Sequence, residues 1–247
     1  MKKLILLTTI SIIISAAFSA CIPGIISVKP EISVVDGLDK QITLDQPAQK
    51  IVTLSPPITE MLYAIGAGDQ VIARDSFSDY PETALSLPDI GGGFAEYDME
   101  TIVSLSPDLV IAGGINTPEL VQSLEDLGLT IYYLANPSDL EGTFASIEAL
   151  GVLSGHENQA EELVGGLRSR VEAVSAILEG VEEKPTVYYE LDATDVAKPY
   201  TPGPNTFYTS MIEMAGGENI GGKSFLQPPL FVFRLLFLAT SPLLLLG

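Results

Sequence analysis

Residues 50–73 read KIVTLSPPITEMLYAIGAGDQVIA, and this stretch decides the fold class. Lys50–Leu54 is a short β-rich run that should end before Pro56, because proline cannot continue a central strand. Thr59 is the expected cap of a helix that runs to about Ile65 and is closed by glycines. Gln70–Ala73 is the next apolar run. A strand, a helix and a second strand within about 24 residues predict a parallel βαβ unit.

The same alternation surrounds this unit on both sides. Upstream, Ile32–Val35 and Gln41–Leu44 flank an Asp-Gly turn signal and predict a hairpin. Downstream, the runs that follow predict a helix from Asp98 to Ser104, a strand at Asp108–Ala112, a helix at Pro118–Leu127 and a strand at Thr130–Leu134. Ligands of such sheets bind beyond the carboxyl ends of the strands. The loops of interest therefore follow Leu54, Ala73, Ala112 and Leu134.

From residue 139 the pattern becomes helical before a second α/β unit begins. One helix is expected from Ser138 or Asp139 to about Leu153, and a longer one from about Asn158 to Leu178. The longer helix carries apolar residues at spacings of three and four, which predict one buried face: Leu163, Leu167, Val171, Val174 and Leu178. Thr186–Leu191 predicts a strand, and Asn205 or Thr206 should cap a helix to about Ala215.

Several motifs in this order resemble one family. They are KIVTLSPPITEMLYAIGAGDQVI, SDYP, LPDIGGG, DMETIVSLSPDLVIA and MIEMAGGENIGG. Together they resemble the ABC-transporter substrate-binding proteins that capture cobalamin, haem and ferric siderophores, and the likeness covers about 32–222. The resemblance implies two three-layer α/β lobes joined by a single long helix, with the ligand in the cleft between the lobes.

The sequence pattern and the resemblance together divide the chain. The pattern at the two ends predicts a signal peptide at 1–20, a lipid-anchored tether at 21–31 and an apolar tail at 225–247. Between them, the resemblance implies an N-terminal α/β lobe at 32–138, connecting helices at 139–180 and a partial C-terminal lobe at 181–224. The family's second lobe continues for several further strands and helices. The second lobe is therefore expected to be truncated.

The resemblance places a set of residues at the ligand cleft: Ser55, Pro56, Pro57, Phe77, Phe94 and Tyr200. The first three follow the first strand of the quoted stretch. The three aromatic residues match positions that face the ligand in cobalamin binders. Aromatic faces suit a flat corrin or porphyrin, because they give large apolar contact at a small entropy cost. The alternative is that these rings are ordinary core side chains.

Glu100 matches the family's surface glutamate that pairs with arginines of the permease dimer. It could equally be a first-turn glutamate that favours the helix dipole. A second docking glutamate is expected some 15 residues after the Gly-Gly-Glu-Asn-Ile motif at 216–220, and nothing at that place matches.

The N-terminus has the pattern of a secretory signal peptide. Lys2 and Lys3 precede an apolar run from Leu4 to Ala17, and Ser19-Ala20 precede Cys21. Small residues before a cysteine resemble the bacterial lipobox, in which the cysteine is acylated. Cys21 is thus the expected lipid anchor, which would hold the body at the outer face of the cytoplasmic membrane. An incidental free thiol is the alternative, and with one cysteine no intrachain disulfide can form.

Charge and hydropathy are segregated along the chain. Asp and Glu number 32 and Lys and Arg 12, which gives a formal charge of −20. All the acids lie within 31–218, so an acidic body has two apolar ends. The acidity argues against a nucleic-acid partner, which needs a basic face. The positive mean hydropathy of +0.34 therefore comes from the ends.

Composition narrows the ligand and leaves three candidates, ranked cobalamin, ferric siderophore and haem. The sole histidine, His156, lies in a polar helix break, so a histidine-rich metal site is not expected. Anionic siderophores call for cations, and Arg74 and Lys198 are the ones near the predicted cleft loops. Haem could be held by a tyrosinate from Tyr97, Tyr188, Tyr189 or Tyr200. Cobalamin carries little net charge and needs mainly aromatic and backbone contacts.

Two other function classes fit less well. Asp79, Asp98 and Glu100 could form an acid/base set, yet the sequence lacks G-x-S-x-G, a P-loop and a metal-ligand cluster. The chain is therefore not expected to be an enzyme or to carry a catalytic cofactor. A structural surface lipoprotein without a transport role is the second alternative.

The tail at 225–247 does not resemble the family. It carries one charge, Arg234, among apolar residues and prolines. A frame-shifted or truncated gene product is the preferred explanation, and a genuine C-terminal membrane anchor is the alternative. A shortened second lobe would expose strand edges and apolar faces, so weak or no ligand binding is expected from the chain as it stands.

Overall fold

In a computed structural model, the core of the first α/β region is a four-stranded parallel sheet. The structure describes residues 31–93, 95–196 and 198–223, together with the backbone of 231–232 and 244–245. The predicted signal peptide, Cys21 and most of the predicted tether and tail lie outside the described residues. The strands of this sheet are β3 (Ile51–Thr53), β4 (Val71–Arg74), β5 (Leu109–Gly113) and β6 (Ile131–Leu134).

The strand order is β4-β3-β5-β6, and all three pairings are parallel. The chain passes from β3 to β4 on one side and then returns across β3 to reach β5. This reversal makes the gap between the carboxyl ends of β3 and β5 the topological switch point of the sheet, where ligands of open α/β sheets bind. Helix α1 (Pro56–Ala64) follows β3, α2 (Met99–Ser104) precedes β5, and α3 (Pro118–Asp126) follows β5.

The two faces of the sheet carry separate cores because side chains alternate along each strand. Ile51, Leu109 and Ile111 point to one face, where they meet α1 and the long helices. Val52 and Val110 point to the other face, where they meet Ile102, Val121 and Leu124 of α2 and α3. Helices on both faces explain why β3 and β5 are buried along their whole length.

The hairpin predicted at 32–44 is confirmed as β1 (Ile32–Val35) and β2 (Gln41–Leu44). Its turn contacts strand β6. The Gly37 amide donates to the Tyr133 carbonyl at 2.7 Å, and the buried Asp36 carboxylate accepts from the amides of Leu38 and Lys40. The hairpin therefore covers the β6 edge of the sheet.

Two long helices follow the sheet, as predicted. Helix α4 (Leu140–Ser154) is capped by Asp139, whose side chain accepts from the Gly142 amide at 2.8 Å, and Gly155 ends it with φ of 75°. Helix α5 (Glu157–Leu178) starts one residue earlier than predicted, and His156 occupies its N-cap position. His156 makes no side-chain capping bond, and its Nδ1 lies 3.1 Å from the Ser154 carbonyl.

The predicted apolar stripe of α5 is correct only in its first half. Leu163, Leu167 and Val171 pack against the core, and Val164 is buried beside them. Val174, in the second half of the helix, is 44% exposed and is therefore not covered as the spacing predicted.

The second region contains short strands and one helix. The elements are β7 (Thr186–Tyr188), β8 (Tyr200–Thr201), α6 (Phe207–Met214), β9 (Glu218–Asn219), β10 (Phe231–Val232) and β11 (Leu244–Leu245). Strand β7 lies between β9 and β11 in parallel pairing, and β8 pairs antiparallel with β10. The predicted strand at 186–191 is shorter than expected, because Leu191 leaves it to bond with Tyr200.

Two predicted helix caps have different outcomes. Thr206 caps α6, accepting from the Thr209 amide at 3.3 Å, as one of the two predicted alternatives. The prediction that Thr59 caps α1 is wrong, because the helix begins three residues earlier at Pro56. Proline is favoured in the first helical turn, where its missing N–H costs nothing, so Ser55 takes the cap position.

Candidate functional site

The candidate site is the carboxyl edge of the four-stranded sheet, where four loops meet. We define these edge loops as 55–57 after β3, which comprises the cap and the first two residues of α1, 75–80 after β4, 114–117 after β5 and 135–139 after β6. Because α1 and α3 pack on opposite faces of the sheet, they leave the switch point between β3 and β5 uncovered at this edge.

The residues predicted from the first strand end differ in their exposure. Ser55 is buried, and an added Cβ on Gly113 would lie 2.8 Å from the Ser55 Cβ, so the two loops touch here. Pro56 is half-buried, and Pro57 is exposed. Pro57 is therefore the member of this set that presents its ring to solvent at the edge.

The loop after β4 is held by a buried polar chain. Thr53 and Thr59 are hydrogen bonded at 2.6 Å, Thr59 donates to the Ser78 hydroxyl at 3.0 Å, and Ser78 donates to the Asp75 carboxylate. The other Asp75 oxygen accepts from the Phe77 amide at 2.9 Å. A carboxylate that is 1% exposed needs such donors, because an unpaired buried charge is costly. Sequence reasoning missed this chain, whose members are separated by up to 25 positions.

Two aromatic rings stand out on that loop. Phe77 is 48% exposed and Tyr80 is 66% exposed. Exposed rings at a sheet edge suit a large flat ligand. Phe77 was predicted as a ligand contact, whereas Tyr80 was read only as part of a loop motif.

The Gly91–Gly93 turn lies between two aromatic rings. All three glycines have positive φ, between 70° and 91°. A Cβ on Gly92 would lie 2.6 Å from Cζ of Tyr97, and one on Gly93 would overlap the Phe77 ring. Glycine is thus required here both by conformation and by space. Phe94, the third predicted aromatic contact, lies outside the described residues.

Asp89 ties this turn to the loop after β4. Its Oδ1 accepts from the Gly91 amide at 2.9 Å and from the Ser76 hydroxyl at 2.8 Å. These hydrogen bonds, and then the charge of Arg74, hold the pKa of Asp89 below its ordinary value. The carboxylate form therefore stabilises the junction of the two loops.

Tyr97 and Asn116 form a bridge across the switch point. The Tyr97 hydroxyl donates to the Leu54 carbonyl at 3.0 Å and accepts from the Asn116 side-chain amide at 2.8 Å. The Asn116 Oδ1 accepts from the Gly113 amide at 2.7 Å. Burial raises the pKa of the Tyr97 hydroxyl, which disfavours the tyrosinate that a haem ligand would require.

The Arg74 side chain is not exposed at the carboxyl edge of the sheet. It is buried, its Nε donates to the Ala84 carbonyl at 3.1 Å, and a second nitrogen donates to the Asp75 carbonyl at 2.8 Å. None of the four edge loops contains Lys or Arg. The other predicted cation, Lys198, is exposed in the second region.

Glu100 lies in the first turn of α2 and is exposed. The preceding Asp98 caps this helix, since its carboxylate accepts from the Thr101 amide at 2.9 Å and the Thr101 hydroxyl at 2.7 Å. Those bonds hold the pKa of Asp98 below its ordinary value. Asp98 thus performs the capping, and the Glu100 carboxylate is exposed on the surface.

Tyr200 lies in the second region rather than among the edge loops. Its amide donates to the Asp192 carbonyl at 2.7 Å, and its carbonyl accepts from the Leu191 amide at 2.8 Å. Of the other predicted tyrosines, Tyr189 packs on Tyr208 with ring centroids 4.9 Å apart, and burial raises the pKa of Tyr188.

Two cavities border α6. One of 560 Å³ lies between the ends of α5 and α6, and is lined by Ser175, Ala176, Leu178, Glu179, Glu213 and Met214. The other, of 210 Å³, is polar and lies at the start of α6. Ligand pockets are usually about 300–1,000 Å³ and mostly apolar, so the smaller cavity does not suit a large chelate.

Within the described part of the chain, His, Cys, Asp and Glu form no cluster of three that could hold a metal ion. No helix in that part combines the length and apolar character that crossing a bilayer requires.

A parallel sheet with loops converging at a switch point, followed by a long helix and a second α/β region, defines a solute-binding protein of the periplasmic type. The sequence pattern of the periplasmic binding protein family matches residues 51–229. The chain belongs to this family.

Curated relatives include a cobalamin-binding protein of Halobacterium salinarum, which is 32% identical over 187 residues, 75% of this chain and 49% of the relative. A vitamin B12-binding protein of Vibrio campbellii is 33% identical over 72% of this chain and 62% of its own length. The chain thus spans about half to two thirds of the relatives it matches.

Solved structures give the same fold. The periplasmic vitamin B12 binding protein of Vibrio cholerae matches with a TM-score of 0.64 and 28% identity, over 76% of this chain and 71% of that one. A periplasmic haem-binding protein of Roseiflexus matches with a TM-score of 0.60 and 30% identity, over 70% of this chain and 65% of that one. The predicted α/β fold is therefore confirmed.

Proposed function

We propose that the chain is the substrate-binding component of an ABC importer and that it binds cobalamin or a related metal chelate at the carboxyl-edge loops. The observation that carries the proposal is the character of this edge. Its loops present the rings of Phe77 and Tyr80 and contain no Lys or Arg, while the nearby Arg74 is buried in hydrogen bonds.

This surface favours one ligand class over the other two. A corrin with neutral amide arms offers flat apolar area and N–H donors, which suit aromatic rings and carboxylates such as Asp79. A trianionic siderophore would meet acidic groups without a facing cation at this edge. Haem would lose Tyr97 as a ligand, because that hydroxyl bonds to Leu54 and Asn116. The ranking of cobalamin, siderophore and haem is therefore kept.

Delivery and location complete the proposal. Glu100, exposed on the first turn of α2, is the proposed contact with the arginines of a permease dimer. Acylation at Cys21 would hold the body at the outer face of the cytoplasmic membrane, on the extracytoplasmic side. Tyr200, and Phe94 from its position in the sequence, are proposed as further ligand contacts, and no catalytic cofactor or enzymatic activity is proposed.

The test is equilibrium dialysis of the purified chain against cyanocobalamin, haemin and a trianionic ferric catecholate siderophore in turn. Of the weak or absent binding expected from the sequence, we now expect weak binding, because hydrogen bonds within the first region hold the edge loops. Binding should be saturable with the lowest Kd for cyanocobalamin, at micromolar affinity or weaker, because the described part of the second region has few buried apolar residues. A clear response to the siderophore or to haemin, with none to cyanocobalamin, would reverse the ranking. A chain that binds none of the three at millimolar ligand would contradict the proposed function.

A further inference from the structure

The bridge formed by Tyr97 and Asn116 joins residues from separate segments of the chain. Tyr97 follows the Gly91–Gly93 turn, Asn116 follows β5, and Leu54 follows β3. Three hydrogen bonds of 2.7, 2.8 and 3.0 Å connect the Gly113 amide, the Asn116 side chain, the Tyr97 hydroxyl and the Leu54 carbonyl in series. The series therefore crosses the gap between the two strand ends at the switch point.

The loop after β5, on one side of this gap, needs hydrogen bonds from neighbouring residues to fix its backbone. Gly113 and Gly114 carry no side chain that could fix their backbone, and glycine has more conformational freedom than any other residue. Asn116 restrains the turn twice, because its amide donates to the Gly113 carbonyl at 2.9 Å while its Oδ1 accepts from the Gly113 amide. Ile115, which lies between Gly114 and Asn116, is 61% exposed, so this turn presents an apolar side chain at the edge.

The Tyr97 ring is held on its other side by the glycine turn. Its ring is close enough to Gly92 to exclude a Cβ there, and Gly91 and Tyr97 form an antiparallel bridge. Gly93 in turn packs under Phe77. One hydroxyl group thus connects the loops after β3 and β5 to the turn that supports the Phe77 ring.

We propose that Tyr97 and Asn116 are positioning residues that fix the relative placement of the loops at the switch point, and thereby the ligand-contacting surface of Pro57, Phe77 and Ile115. This assignment rests on the proposed function. The pair acts through the loops that it joins, and neither residue is assigned a direct ligand contact.

The variant that tests this role is Tyr97→Phe, which keeps the ring against Gly92 and removes the hydroxyl. It leaves the Leu54 carbonyl and the Asn116 amide without their partner. We expect the Kd for cyanocobalamin to rise about tenfold, which corresponds to about 1.4 kcal/mol. Asn116→Ala should raise the Kd by a similar factor. The Kd of the double variant should not exceed the higher of the two single-variant values, because both substitutions break the same series of hydrogen bonds.

The matched control is Tyr132→Phe. Tyr132 is 5% exposed and lies in the body of β6, and burial raises its pKa as it does that of Tyr97. The control therefore also removes a hydroxyl from a largely buried tyrosine, away from the edge loops. We expect its Kd to stay within about twofold of the wild-type value, whatever its change in Tm.

Amide hydrogen exchange supplies a readout that general destabilisation does not produce. At a temperature where every variant is folded, exchange at Gly113 and Asn116 should accelerate at least tenfold in Tyr97→Phe and stay unchanged in Tyr132→Phe. Exchange in the strand centres should be alike in the two variants once their global stabilities are taken into account.

The outcomes separate the assignment from the function on which it rests. If the wild-type chain binds cyanocobalamin and Tyr97→Phe binds it equally well, the positioning role is wrong and the proposed function stands. If both tyrosine variants raise the Kd by the same factor, the effect is general and the role is again wrong. If the wild-type chain binds none of the three probe ligands, the proposed function fails and the positioning role falls with it.

Discussion

The two α/β regions of this chain reach their folds in different ways. In the first region, β3 and β5 are buried along their whole length between two apolar clusters. In the second region, Val187 and Ile212 are the buried hydrophobic residues among the described residues after 180. Since burial of apolar surface dominates folding energy, the first region should carry most of the stability.

Buried polar groups are found in both regions, and most of those described are hydrogen bonded. Asp36, Asp75 and Asn116 of the first region are buried and hydrogen bonded. In the second region the buried Asn219 side-chain amide donates to the Thr209 hydroxyl at 2.7 Å, whereas the Tyr188 hydroxyl and the Thr201 Oγ1 are buried without a partner among the described atoms. Gln70 Oε1 is the corresponding atom in the first region. The comparison teaches that the edge loops are fixed by their own lobe, so their geometry should survive changes in the second region.

The largest expected effect comes from a matched pair of core substitutions, one in each region, which test this comparison. Ile102→Ala in α2 and Ile212→Ala in α6 remove the same atoms from helical positions that are 0% and 7% exposed. We expect Ile102→Ala to lower the free energy of unfolding by about 2–5 kcal/mol. Ile212→Ala should lower it by about 2 kcal/mol or less, because few buried apolar residues are present in the second region to line a cavity. Urea unfolding followed by far-UV circular dichroism measures both.

Amide hydrogen exchange shows which part of the chain each of these two substitutions destabilises. Faster exchange after Ile212→Ala should be confined to 181–223, while Ile102→Ala should accelerate exchange throughout the first region. Equal losses of unfolding free energy in the two variants would show that the second region is packed as well as the first and would break the comparison.

A smaller effect distinguishes the cost of a side chain at positive φ from the cost of its steric overlap with a neighbour at the carboxyl edge. Gly93→Ala and Gly128→Ala both place a side chain at positive φ, 70° and 83°. An added Cβ at Gly128 has no neighbour within 4 Å, whereas at Gly93 it overlaps the Phe77 ring. Gly128→Ala should cost about 1 kcal/mol, and Gly93→Ala should cost more and also displace Phe77. We expect about a tenfold higher Kd for cyanocobalamin in Gly93→Ala alone.

The measurements are thermal unfolding and equilibrium dialysis on both variants. If both glycine variants bind the ligand like the wild-type chain, the Phe77 ring does not contribute to binding. If both weaken binding equally, the effect comes from stability and not from the position of Phe77.

The first sheet could be predicted from sequence because its signals are local. Runs of apolar residues bounded by Pro, Gly and capping residues placed β3, β5, α3 and α4 to within about two residues. The start of α1 was mispredicted because Thr59 competed with Pro56, and the proline determined the boundary. Val174 was mispredicted because spacing shows which residues share a helix face but not what covers that face.

The candidate site was predictable only in part, because its construction depends on contacts distant in sequence. The edge loops followed from the parallel sheet, and Phe77 came from the family resemblance. Asn116 and Tyr97 are 19 positions apart, and their contact exists only because the strand order brings β5 beside β3. The burial of Arg74 was equally invisible, since its partner carbonyls carry no side-chain signal.

The smallest effect compares two carboxylates whose pKa values are both lowered, one in each region. Asp89 accepts from Ser76 and Gly91, which joins two loops, whereas Asp192 accepts from the hydroxyl and amide of the nearby Thr194. Hydrogen bonds to the carboxylate hold the pKa of both groups below the ordinary value. A lowered pKa gives stability above the unfolded value of about 3.9, and that stability is lost as pH falls through the folded pKa.

We therefore expect Asp89→Asn to flatten the acid dependence of global unfolding below about pH 4, because the group that titrates there is gone. Asp192→Asn should leave that dependence unchanged, since its bonds are local to a region that contributes little core. Urea titrations at pH values between about 2.5 and 5 measure this directly. Should Asp192→Asn alter global stability as much as Asp89→Asn, the second region would be part of the same cooperative unit. The edge geometry would then depend on both regions, contrary to the difference in burial between them.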